Sequence, residues 1–201
     1  MAQFSTAFLR LSNPSSELFK ENIMPNWCNN TMTISHPDPA MVQKAADAWN
    51  AGKFLQTLVP CPSELMETVK GWTNDEEDQK ANDAKVAANI EKYGYPTWYE
   101  YCIAEWGTKW DVGYHPSYGE EATVTGNSFT VNFDSAWSPP CAAYGKLREM
   151  GYEICAYYYE SGCDFCGRWI DGQDDCYEVS RGGIPQDIVD EMGIDEAEEC
   201  E

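Results

Sequence analysis

Residues 106–140, WGTKWDVGYHPSYGEEATVTGNSFTVNFDSAWSPP, limit the possible folds more than any other part of the chain. Gly107 ends an aromatic helix, and Trp110, Val112 and Tyr114 then alternate with Lys109 and Asp111. This period of two predicts a strand over 108–114. After an interruption at 115–119, Ala122–Thr125 and Ser128–Phe133 predict a hairpin about Gly126-Asn127, a pair that accepts the left-handed backbone of a tight turn. Phe129, Val131 and Phe133 then share the inward face. Ser138-Pro139 supplies an N-cap followed by proline at the first helical position, so a helix to Met150 follows, ended by Gly151.

The flanking segments complete a pattern around that stretch. Cys28, Asn30, Met32 and Ile34 share one parity within 27–34, which predicts a first strand. Met41, Val42, Ala45, Ala46 and Trp49 recur at helical spacing up to Gly52. Residues 54–62 read as an extended, proline-ended connection. Residues 75–92 read as a helix with an acidic first turn that suits the helix dipole, and 96–106 as a short aromatic helix started by Pro96. Further strands are expected over 152–160, 163–170 and 176–179, the last two forming a hairpin about Asp171-Gly172, with a short helix over 184–192. Strand, helix, strand, strand, helix, strand is the split βαβ order of an α+β, ferredoxin-like sandwich, here with an added C-terminal hairpin. The expected organisation is an N-terminal arm at 1–23, a ferredoxin-like domain at 24–180 with a helical insertion at about 63–95, and an acidic helix and tail at 181–201 that is separable from the sandwich. Lys20-Glu21, encodable as a ribosome-binding sequence, precedes Met24 at initiator spacing, so the arm is expected to lie upstream of the functional start.

Charge narrows the function. With 34 acidic against 13 basic residues and a formal charge of −21, the chain repels phosphate backbones and lacks the cations for counterion release. Direct nucleic-acid binding is therefore not expected. Residues 171–201 hold 12 acidic residues against Arg181 alone. Such a run is either a solvated tail or a surface that imitates a polyanion and steers onto a basic partner. Nine cysteines, an odd number scattered through the elements, fit reduced thiols in a cytoplasm, and no window is apolar enough to span a membrane.

Four separated segments carry a resemblance: Met24-Pro25-Asn26-Trp27-Cys28-Asn29, Trp106-Gly107-Thr108-Lys109-Trp110-Asp111, Ala136-Trp137-Ser138-Pro139-Pro140 and Glu160-Ser161-Gly162-Cys163-Asp164-Phe165-Cys166-Gly167. In this order they resemble the YubB ferredoxin-like family of proteins encoded by phages, plasmids and prophages, over roughly residues 24–180. The resemblance implies a ferredoxin-like fold and a mobile-element origin. It implies no activity, cofactor or catalytic residue, and it does not extend to 1–23 or to the acidic tail.

The best polar cluster is Lys109 and Asp111 facing Asn132 and Asp134 on the outer side of adjacent strands, either a cross-strand ion pair or an acid/base and ligand-anchoring set. Cys163 and Cys166, with Cys176 on the next strand, have metal-ligand spacing but lack a fourth ligand, so no metal is expected there. Trp27, Trp98, Trp106, Trp110 and Trp137 are expected in the core, because the outward positions Thr31, Thr33, Thr130 and Asn132 lack the aromatic pair of a base-stacking sheet. Two function classes remain. One is a non-enzymatic accessory protein that binds a host protein, such as a nucleic-acid-binding or defence component. Its acidic surface would include Asp187, Asp190, Glu191, Asp195 and Glu196, and it would act as a DNA mimic in the host cytoplasm. The other is a small-molecule-binding or hydrolytic domain centred on Lys109, Asp111 and Asp134.

Overall fold

The computed structural model describes residues 26–73, 75–117 and 119–194, in the numbering of the full 201-residue chain. The expectations for the arm at 1–23, and for Asp195 and Glu196, lie outside the described residues.

Strand β1 (Trp27–Ser35) buries Cys28, Asn30, Met32 and Ile34, as its alternation predicts. Helix α1 (Pro39–Asn50) starts at Asp38, whose carboxylate accepts the Ala40 N–H, and lays Val42, Ala45, Ala46 and Trp49 onto the sheet. Strand β2 (Ser128–Ala136), helix α6 (Cys141–Glu149) and strand β3 (Glu153–Glu160) form a βαβ unit with β1 inserted between its strands. Strands β4 (Phe165–Ile170) and β5 (Gln173–Glu178) extend the sheet beyond β3 through a turn in which Asp171 and Gly172 both have positive φ. The result is an α+β, ferredoxin-like fold with a five-stranded antiparallel sheet in the order β2-β1-β3-β4-β5.

The order shows one departure from the sequence reading. The strand expected over 108–114 does not form, and of the expected 122–125 strand there remains a single bridge, Thr125 to Ser128. The backbone groups that a strand would offer to β2 are engaged elsewhere. The Val112 carbonyl accepts the Phe54 N–H, and the Tyr114 N–H donates to the Trp49 carbonyl, which ties the segment to the C-terminal end of α1. Gly113 sits against that end, where an added Cβ would lie 2.8 Å from the Gly52 Cα. Residues 107–125 therefore arch away from the sheet, and β2 is left as an edge strand.

Other segments also differ. Residues 54–62 are not extended throughout: Phe54–Leu58 forms a short helix, α2, burying Phe54, Leu55 and Leu58. The insertion holds α3 (Ser63–Met66) and α4 (Glu76–Tyr93). In α4, Asn82 and Asn89 face inward and bond the Val69 and Glu64 backbones, while Ala81, Ala88 and Ile90 are exposed. Helix α5 (Trp98–Glu105) follows a Thr97 cap.

The C-terminal helix packs on the sandwich. Helix α7 (Gln186–Met192) lies on the sheet face opposite α1 and α6. Its Ile188, with Ile194, packs on Cys166, Tyr157 and Tyr159 in a second apolar cluster. Among the described residues, no helix is long and apolar enough to cross a membrane.

Candidate functional site

The described residues of the four segments singled out in the sequence meet at one end of the sheet, because β1 and β4 begin where β2 and β3 end. Side chains and backbone knit them together. Trp137 donates its N–H to the Asn26 carbonyl, Thr108 Oγ1 donates to the Ala136 carbonyl, and Ser138 Oγ to the Gly107 carbonyl. Trp137 holds this junction with φ of 72°, a left-handed backbone that bulky residues rarely adopt.

Among the described residues, Glu160 is the one charged residue buried at this end, at 2% exposure. It stands on the inward parity of β3, after Ile154, Ala156 and Tyr158. Its carboxylate accepts the backbone N–H groups of Gly162, at 2.8 Å, and Cys163, at 2.5 Å. Burial pushes its carboxyl upward, but these bonds, with those from the Cys163 thiol and the Asn26 side chain, hold it below the usual carboxylate range. The inward parity of an acidic residue was the sequence signal for it, and the sequence reading passed it over. Nearby, burial pushes the Cys28 thiol up to about 12, so it stays protonated.

Beside this junction, the arch and the sheet edge enclose a cleft of about 1350 Å³. Asn29, Thr31, Asn132 and Asp134 of the outer face line it, joined by cross-strand bonds from Asn29 Nδ2 to Asp134 (2.6 Å) and from Thr31 Oγ1 to Asn132 (2.9 Å). Residues 110–116 and Glu120 form the opposite wall, and Glu191 and Met192 close one side. Trp27 and Trp110 stand in the lining with ring centroids 5.8 Å apart. Contrary to the expectation of a core role, Trp27, Trp110 and Trp137 are 47%, 38% and 39% exposed, and Trp98 is half-buried; of the five only Trp106 is buried.

The structure distributes the expected site residues unevenly. Asp111, Asn132, Asp134 and Glu191 line the same cleft. Lys109 is not in the lining and makes no ion pair with Asp111 or Asp134; it lies 4.7 Å over the Trp110 ring. Asp111 caps α2, accepting the N–H groups of Leu55, Gln56 and Val112, and burial raises its pKa above the usual carboxylate range despite those bonds. Asp187 pairs with Arg168 and accepts the Tyr157 hydroxyl, so it anchors α7. Asp190 accepts from Gln186 on its own helix. Cys166 is buried beneath α7, whereas Cys163 and Cys176 are exposed. Among the described residues no group of three or more His, Cys, Asp or Glu is placed to hold a metal ion.

No family model matches the chain, and no curated protein matches it. Among solved structures, it is similar to a crystal structure of the protein api92 from Yersinia pseudotuberculosis, of the family DUF1281. That match has a TM-score of 0.38 and 14% identity, over 80% of this chain and 99% of the other.

Proposed function

We propose that this chain is a non-enzymatic accessory protein of a phage or other mobile element, of YubB-like kind, that binds a basic, nucleic-acid-binding protein of its host in the host cytoplasm. The observation that carries this reading is the cleft beside β2. It is concave, its rim holds the carboxylates of Asp134, Glu120 and Glu191, and none of these three is in an ion pair among the described residues. Exposed tryptophan beside unpaired carboxylate is a surface that desolvates well against lysine and arginine side chains. The formal charge of −21 adds a long-range field that steers a basic partner and turns nucleic acid away.

The hydrolytic alternative centred on Lys109, Asp111 and Asp134 has less support, because both Asp111 oxygens are already taken by backbone donors and Lys109 lies outside the lining. Affinity capture from host cells, with identification by mass spectrometry, tests the proposal. Basic nucleic-acid-binding proteins should be retained at physiological salt and released toward 1 M, where the screening length falls to about 3 Å. Retention of the same proteins at 1 M salt, or recovery of acidic proteins instead, would contradict it. Stabilisation by a small metabolite, with no such capture, would favour the alternative.

A further inference from the structure

The register of β2 decides which of its backbone groups bond to β1. The Trp137 N–H donates to the Asn26 carbonyl at 2.9 Å and the His36 N–H to the Asn127 carbonyl at 3.1 Å, continuing the pairing that runs from Trp27 with Ala136 to Ser35 with Ser128. Hydrogen-bonded positions alternate along an antiparallel pair. Odd-numbered residues of β2 therefore bond to β1, and Thr130, Asn132 and Asp134 turn their N–H and C=O groups to the other edge. Both ends of that edge are engaged: Ser128 exchanges two bonds with Thr125, and the Ala136 carbonyl accepts from Thr108 Oγ1. Between them the three residues have no backbone partner on that side among the described residues. The arch that would have supplied a neighbouring strand has been drawn off to α1, and the cleft lies along the resulting gap.

We propose that this gap accepts an extended, lysine- or arginine-bearing segment of a partner protein, which adds to β2 as a sixth strand. The inference rests on the acidic-surface reading above and names how the partner is held. An open edge with unpaired backbone groups is a template for strand addition, and main-chain bonds then supply affinity while alternate side chains supply specificity. Two features select a basic segment. Asp134, Glu120 and Glu191 border the gap, and the partly exposed rings of Trp27 and Trp110, aromatic surface that receives cations, line the same cleft. A second copy of this chain fits poorly, since edge-to-edge pairing would bring together two molecules that each carry a formal charge of −21.

The test uses the full chain and a capped peptide of alternating lysine and valine, about seven residues long, with a glutamate-for-lysine peptide as control. Amide exchange followed by NMR reads the edge directly. At low salt the lysine peptide should bind and slow exchange at the Thr130, Asn132 and Asp134 amides at least about tenfold. Asn132→Pro removes an outward N–H and the exposed cross-strand bond from Thr31 Oγ1, so it should lower the melting temperature by no more than Asn132→Ala does and, unlike Asn132→Ala, weaken binding at least about tenfold. Binding without protection of these amides, and unaffected by Asn132→Pro, overturns strand addition and leaves the acidic-surface reading standing. Equal binding of the glutamate peptide, or no binding of either, overturns both. Protection that grows with protein concentration and needs no peptide would assign the edge to a second copy and overturn the proposal.

Discussion

Glu160 ties two strand ends together through one backbone N–H on each carboxylate oxygen, so its protonation state bears on stability. Its folded pKa lies below the unfolded value of about 4.3, so its contribution is complete above that pH and is lost as pH falls through the lowered folded value. Glu160→Gln should therefore cost about 1.5–3 kcal/mol at pH 7 by urea denaturation, with the difference from wild type shrinking toward pH 3. A difference that does not change with pH would show that shape, and not charge, matters there. The strand phase is tested in the same way. Val131→Ala empties a buried inward position and should cost about 2 kcal/mol or more, while Thr130→Ala, on the exposed face, should cost less than about 0.5. Parity was legible in the sequence for β1 and β2, because each turns one face into the core. The tryptophans were not legible, since aromatic residues are equally suited to a core and to an exposed cleft wall.

At the scale of elements, the arch and α7 are where sequence and structure part. Trp110, Val112 and Tyr114 do alternate, but alternation reports which side chains face together and says nothing about where backbone N–H groups go. Asp111, read as an outward strand residue, instead caps α2, a helix whose residues had been read as extended. In α7 the acidic composition of 181–201 masked Ile188 and Val189, which bury against the sheet. A chain ending at Arg181 should therefore melt several degrees lower, because it uncovers Cys166, Tyr157 and Tyr159. Ile188→Ala alone should cost about 2–4 kcal/mol. An unchanged melting temperature for the shortened chain would mean that α7 does not hold the outer face.

Over the whole molecule, cations are few, and among the described residues Lys70, Lys85, Lys92, Lys146, Arg168 and Arg181 each pair with a carboxylate. Asp134, Glu120 and Glu191 make no ion pair among the described residues, and they share the cleft lining with the exposed rings of Trp27 and Trp110. The charge was legible from composition, but its concentration beside an open strand edge was not, because that depended on an edge strand failing to form. If the acidic cleft draws in a basic partner, the rate of association must depend on ionic strength. For the partner recovered by affinity capture, the rate should fall about tenfold or more from 0.05 to 0.5 M salt. The triple variant Glu120→Gln, Asp134→Asn, Glu191→Gln should associate more slowly at low salt and show a flatter dependence, with its melting temperature little changed. Equal rates and equal salt slopes for wild type and variant would contradict the account.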